Sequence, residues 1–238
     1  MDAIDSYWSD GFPHIQGWVS SGHLQPLKLV DEIQRSVGIK GHVAEIGVFH
    51  GKFLLALASL LNPGDKVTAL DVFDDQDKNL DGAGEGNLGI LQQNVAAYGR
   101  QDLDYSYVQA DSSALTMLDK VELTRSRGPF RLFSVDGCHT TEHTLADLRT
   151  AQDCMAPGGV IILDDYMQPH WPGVTEAVSL FCTGAPRMVP FLYTLHKLYF
   201  VGIGWHAHFL AASMQAFAGH DNARTPAMFG RNVMTLYP

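Results

Sequence analysis

Residues 130–173, FRLFSVDGCHTTEHTLADLRTAQDCMAPGGVIILDDYMQPHWPG, read as strand, helix and strand, and each strand ends in acid. Arg131 to Val135 is an apolar β-rich run closing on Asp136. Thr141 to Met155 carries Leu145, Leu148 and Met155 at helix-like intervals. After the Ala156-Pro-Gly-Gly159 turn, Val160 to Leu163 closes on Asp164 and Asp165. A strand–helix–strand unit of this kind is parallel and right-handed, so both acidic tips leave the sheet at one carboxyl edge. Three carboxylates meeting there repel each other unless a cation lies between them. Hard oxygen donors with no cysteine among them suit Mg²⁺ or a similar divalent ion that keeps part of its water shell. For one acid such as Asp136, helix capping or solvation is the ordinary alternative. Two adjacent carboxylates at a buried strand end ask for more.

With 238 residues, 46% of them hydrophobic, the chain can bury one substantial core. The division expected is an N-terminal arm and helix over 1–40, a main α/β domain over 41–204, and a C-terminal helix and irregular tail over 205–238. Sixteen basic against 26 acidic side chains give a net charge of −10, which argues against nucleic acid as the main partner. The three cysteines form no CxxC pattern and read as free thiols of a cytoplasmic protein. No apolar run reaches the length of a membrane span.

The aromatic N-terminal segment (Tyr7, Trp8, Phe12, Trp18) is expected to pack as an arm, with a lid as the alternative. Leu24 to Val37 is an amphipathic helix. Val43 to Gly47 is a buried strand running into Glu45-Ile-Gly47-Val-Phe-His-Gly51 and then an apolar helix from Lys52. A strand that delivers glycines into a helix start brings backbone N–H groups against a nucleoside-type ligand. The spacing is GxxxG, without the lysine of a phosphate-gripping loop. The second strand, Val67 to Leu70, ends at Asp71, where a carboxylate can accept from both ribose hydroxyls. Residues 74–87 are an acidic, glycine-rich loop. The third strand, Tyr105 to Val108, leads to Asp111 and Ser112, which open a helix expected to run to Leu123. Asp111 either caps that helix or receives an adenine amine. Beyond Gly173, a helix precedes two strands, Arg187 to Tyr193 and Lys197 to Gly202, joined as a hairpin, and a helix over Trp205 to Phe217.

In these residues the chain resembles the class I S-adenosylmethionine-dependent methyltransferases, from about Val43 to Gly202. The segments VDGCHTTEHTLADL and APGGVIILDDY are similar to the metal-dependent O-methyltransferases, especially the macrocin-type sugar enzymes. The resemblance implies a Rossmann-like doubly wound α/β sheet of five parallel strands plus a C-terminal antiparallel hairpin, with helices on both faces. It implies S-adenosyl-L-methionine held by Glu45, Gly47, Gly51, Asp71, Asp111, Ser112 and Asp136. It implies Mg²⁺ held by Asp136, Asp164 and Asp165, and a general base at His139. His170 and Trp171, in the loop after the acid pair, are candidates for the pocket of a small-molecule hydroxyl acceptor. His50, inside the glycine motif, is a bulky departure near the cofactor path.

The chemistry suits these residues. Methyl transfer from a sulfonium is a one-step displacement, so alignment and acceptor activation are what a protein must provide. A cation and a neutral imidazole together make a hydroxyl nucleophilic near neutral pH. Two other readings stand beside it: a nicotinamide-dependent oxidoreductase using the same glycine turn and ribose acid, and a non-catalytic cofactor-binding module. The arm and the last helix suggest a homo-oligomer.

Overall fold

Side-chain alternation along the central strands decides which helices cover which face. The computed structural model describes residues 2–236; residue 1 and residues 237–238, the outermost positions of the expected terminal segments, lie outside the described residues. In chain order the elements are α1 (Ala3–Ser6), α2 (Leu24–Ser36), β1 (His42–Ile46), α3 (Lys52–Ala58), β2 (Lys66–Asp71), α4 (Leu88–Tyr98), β3 (Asp104–Gln109), α5 (Met117–Arg127) and β4 (Phe130–Val135). Then follow α6 (Thr141–Cys154), β5 (Met155–Leu163), α7 (Pro172–Thr183), β6 (Met188–Thr194), β7 (Lys197–Gly202) and α8 (His206–Ala216). Four short strands end the chain: β8 (Ala223–Arg224), β9 (Ala227–Met228), β10 (Arg231–Asn232) and β11 (Met234–Leu236).

Leu132, Val160 and Ile162 pack on one face with Leu27 and Val30 of α2, Leu54 of α3 and Phe209 of α8. Their neighbours Phe133, Val135, Ile161 and Leu163 pack on the other with Leu148 of α6 and Val174 and Val178 of α7. Both faces are covered, as the doubly wound reading requires.

The sheet runs β3-β2-β1-β4-β5-β7-β6-β11-β8. The first five strands are parallel, and β7 pairs antiparallel to both β5 and β6. Five parallel strands closed by a hairpin is the expected architecture. Register matters more than order here. Ile46 aligns with both Leu70 and Val135, and Val135 with Leu163. The carboxyl ends are therefore level, and Gly47, Asp71, Asp136 and Asp164 leave the sheet in one row.

The structure departs from the sequence reading in three places. The tail extends the sheet instead of being irregular: β11 pairs parallel to β6 and β8 antiparallel to β11. The helix expected from Asp111 to Leu123 is broken. A single turn over Ser112–Ala114 ends in extended backbone at Leu115, and α5 restarts where Thr116 and Asp119 form a reciprocal capping box. Strand β5 also begins earlier, at Met155, so the Ala156-Pro-Gly-Gly159 segment is part of a strand with an irregular register instead of a free turn.

The arm packs. Ile4, Tyr7, Phe12 and Ile15 are buried, and the Tyr7 hydroxyl donates to the Lys52 carbonyl at 2.6 Å. Trp18 is the exception, at 75% exposure. Among the described residues no helix is long and apolar enough to cross a membrane.

Asp147 on α6 is wholly buried beneath the β4–α6 loop, and burial pushes its carboxyl up to about 7. A carboxyl that holds its proton more tightly when folded penalises the fold increasingly as pH rises from about 3.9, the ordinary Asp value, through its folded value. Replacing Asp147 with Asn should therefore raise Tm relative to the parent more at pH 8 than at pH 5, by on the order of 5 °C. Equal shifts at both pH values in a thermal melt would contradict this account.

Candidate active site

The level strand ends build the floor of a cavity of about 450 Å³, a size suited to a ligand of cofactor dimensions. Gly47 is the tightest point of that floor. Its φ is +77°, and a Cβ there would lie 1.9 Å from the Asp136 carbonyl oxygen, so only glycine lets the β1 and β4 loops meet. Asp71 ties the glycine loop down. Its Oδ2 accepts from the amides of Val48 (2.6 Å) and Phe49 (2.9 Å), and its Oδ1 from that of Phe73 (2.7 Å). A carboxylate offers about four acceptor sites. Roughly one is left, facing the cavity that Asp71 lines.

Glu45 is buried at the cavity floor with one oxygen, Oε2, lacking a hydrogen-bond partner, and burial pushes its carboxyl up to about 8. An orphaned acceptor facing a cavity is a natural seat for an ammonium or a hydroxyl of a ligand. Asp111 Oδ1 accepts from the Ser113 amide and hydroxyl, which is the capping alternative, while Asp111 and Ser112 both line the cavity.

Two expected cofactor-side features differ. Gly51, with φ +87°, does not line the cavity; a Cβ there would meet Leu91 Cδ1 at 2.4 Å, so its glycine serves the approach of α4. His50 stacks on Phe49 with centroids 3.7 Å apart and lines an adjoining groove, which leaves the main cavity clear.

Next to the Gly47 contact, donor atoms of Asp136, His139 and Asp165 lie within 4.8 Å of one another. This differs from the expected trio of carboxylates. Asp164 Oδ2 is taken by the ammonium of Lys197, which is wholly buried on β7 over the Phe53 ring, and Asp164 Oδ1 accepts from the Asp165 amide at 2.9 Å. An acid paired this closely to a buried lysine is turned from the cluster toward its partner. Asp136 keeps the full cost of crowding. Burial, and then the charge of Asp164, hold its carboxyl well above the usual range. A divalent cation would relieve that cost, and the oxygen donors present fit one.

His139 is clasped from both sides. Its Nδ1 lies 2.7 Å from Asp81 Oδ2, its Nε2 lies 3.0 Å from Asp165 Oδ2, and its ring stacks on Trp171 at 4.2 Å. Burial works to lower its pKa, but the hydrogen bonds to Asp165 and Asp81 outweigh it and the net shift is upward. Trp171 lines the cavity and packs the imbedded imidazole. His170 is exposed and does not line it, because Pro172 starts α7 and the loop turns His170 outward. His143, one turn into α6, does line it.

Two contributors were not singled out from sequence. Lys197 is the only charged residue in the two hairpin strands, a signal that could have been noticed. Asp81 sits in the acidic insertion, whose Asn79, Ala83, Gly84 and Gly86 form a wall of the cavity; its proximity to His139 comes from tertiary structure alone.

A parallel sheet closed by an antiparallel hairpin, with a glycine-lined cavity beside an acid cluster, is the arrangement that the resemblance to class I S-adenosylmethionine-dependent methyltransferases implies. Residues 44–166 match the model of the family described as "Methyltransferase domain", and the chain belongs to that family. The nicotinamide reading falls with it. No curated protein matches the sequence. Among solved structures, the O-methyltransferase NovP is 14% identical with a TM-score of 0.59, covering 77% of this chain and 81% of NovP. MycE methyltransferase from the mycinamycin biosynthetic pathway, in complex with Mg, SAH and mycinamycin VI, is 15% identical with a TM-score of 0.55, covering 85% of this chain and 53% of MycE. The chain thus spans about half of MycE's length. CalS11, calicheamicin methyltransferase, is 17% identical with a TM-score of 0.54, covering 84% of this chain and 90% of CalS11. At these identities the likeness is one of fold.

Gly47→Ala should strain the β1 loop against Asp136. We expect Tm to fall by about 5 °C or more and SAH binding to be lost by calorimetry; unchanged affinity would show that the two loops need not touch.

Proposed function

We propose that this protein transfers a methyl group from S-adenosyl-L-methionine to a hydroxyl of a small molecule, with a sugar or glycosylated acceptor favoured. The observation that carries the reading is the convergence of Asp136, His139 and Asp165 beside the glycine loop in one cavity. Support for the acceptor class comes from the fold neighbours. MycE is seen with mycinamycin VI, and an apo structure of CalS11 describes it as a TDP-rhamnose 3'-O-methyltransferase.

In this reading Glu45, Asp71, Asp111 and Ser112 hold the cofactor along the row of strand ends, and the Gly47 loop presents backbone to it. Asp136 and Asp165 hold a divalent cation, Mg²⁺ by preference, with Asp164 beside them. When bound, the cation supplies positive charge that stabilises the oxyanion developing on the acceptor. His139 Nε2 takes the hydroxyl proton as the new O–C bond forms and the S–C bond breaks. For that the imidazole must be neutral. Asp165 stands 3.0 Å from Nε2, and with a cation bound to it Asp165 would hold the imidazolium less firmly, which would favour the neutral ring. Trp171 keeps the ring in its plane and excludes water from one face.

The catalytic unit is 41–204, with 1–40 and 205–238 as flanking segments open to self-association. Free thiols at Cys138, Cys154 and Cys182 suit a cytoplasmic setting.

Labelled S-adenosyl-L-methionine assayed against TDP-rhamnose, mycinamycin VI and catechol tests the reading. Excess chelator should abolish transfer and Mg²⁺ restore it; full activity in chelator would remove the cation. His139→Ala should lower kcat by about 10²–10⁴-fold with cofactor affinity within about threefold. Wild-type kcat in that variant would remove the base.

A further inference from the structure

The insertion over 74–87 delivers one carboxylate into the site. Asp81 Oδ2 accepts from the His139 backbone amide at 2.7 Å and faces His139 Nδ1 at the same distance. Asp81 Oδ1 accepts from the Ala83 amide at 3.0 Å. Both oxygens are therefore acceptors, and the carboxylate has no donor to give the ring. Nε2 also faces a carboxylate, Asp165 Oδ2 at 3.0 Å, but Asp81 is the nearer acceptor and is pinned by two backbone amides; with Asp165 turned to a cation, a neutral imidazole would carry its hydrogen on Nδ1 and keep the lone pair on Nε2.

The insertion is braced for this task. Asn79 Nδ2 donates to Gln76 Oε1 (2.8 Å) and to the Gly84 carbonyl (2.7 Å), and Asn87 Nδ2 donates to Asp74 Oδ1 (2.6 Å). From the opposite side Trp171 lies nearly parallel to the imidazole, with an interplanar angle of 15°. One oxygen thus holds both the backbone and the ring of a single residue, while an indole fixes the ring plane.

We propose that Asp81 is a positioning residue that locks His139 in the Nδ1–H tautomer and so aims the Nε2 lone pair at the acceptor side of the acid cluster. The inference rests on His139 being the base. It makes the insertion a working part of the site as well as its wall. An asparagine cannot substitute cleanly. Its amide has one acceptor, so meeting the Ala83 amide turns the NH₂ group toward His139 and favours the opposite tautomer. Where a carboxylate orients a catalytic histidine in this manner, its loss costs up to about 10⁴-fold in turnover. With Asp165 also beside the ring, we expect about 10²-fold.

The test reads the ring directly. Enzyme with ¹⁵N-labelled histidine, loaded with Mg²⁺ and SAH at pH 8, is examined by imidazole ¹⁵N–¹H correlation in the parent, Asp81→Asn and Asp81→Ala. Turnover is measured on whichever of TDP-rhamnose, mycinamycin VI or catechol the parent methylates best. The expected result is an Nδ1-protonated His139 in the parent, loss of that state in both variants, a kcat lower by about 10²-fold, and SAH affinity within about threefold. An unchanged tautomer in the variants overturns the inference whether or not kcat falls, since a fall alone would report only loop structure. His139→Ala separates the two ideas. If it is inactive while the Asp81 variants keep the parent's tautomer and kcat, Asp81 has no positioning role and the base stands. If it is fully active, the base reading fails and takes this one with it.

Discussion

Electrostatic crowding at the carboxyl edge of the sheet is the constraint around which this molecule is arranged. Asp136 and Asp164 leave strand ends that the register brings level, Asp165 follows directly, and Glu45 lies inside the same edge, opposite Ser134 on β4. Buried like charges cannot all ionise without compensation. The chain answers with the Lys197 ammonium beneath Asp164 and with the His139 ring set as a hydrogen-bond partner against Asp165. Lys197 would be driven neutral by burial alone, but Asp164 and Asp136 raise its pKa and keep it charged. What those two compensate only in part is Asp136, and there a metal ion would gain most.

Much of this arrangement was legible in the chain. The alternation of Phe133, Val135, Ile161 and Leu163 against Leu132, Val160 and Ile162 fixes two covered faces, and the right-handed crossover then fixes the common edge. Acids at strand ends are local features, so Asp71, Asp136 and the Asp164–Asp165 pair could be read directly. Partners far away in sequence could not. Lys197 lies 33 residues from Asp164 and Asp81 lies 58 from His139, and no periodicity links either pair. The interruption after Ala114 differs from these, because Thr116 and Asp119 form a local capping signature that competes with an apparently continuous helix. The roles of these residues are chemistry, and chemistry lies beyond what register and burial decide.

On the proposed reading, acceptor selection falls to the least regular parts of the molecule. The arm places Trp18 against Phe49 at 5.0 Å, and Gly84 of the insertion sits against both rings. Opposite them stands Trp171. A pocket whose floor is a rigid sheet and whose sides are aromatic loops can keep one reaction while changing what it methylates.

The short closing strands have a bearing on how the protein keeps company with copies of itself. An open sheet invites a stranger's strand at each margin. Here one margin is β8, only two residues long, too brief a ladder to recruit a neighbour. At the other, Arg127 reaches over β3, its guanidinium bound to the Asp104 carbonyl at 2.6 Å and to the Asp104 carboxylate at 2.6 Å, so part of that border is already occupied. Both margins are thereby blunted, one by the brevity of β8 and the other, at the start of β3, by the Arg127 guanidinium.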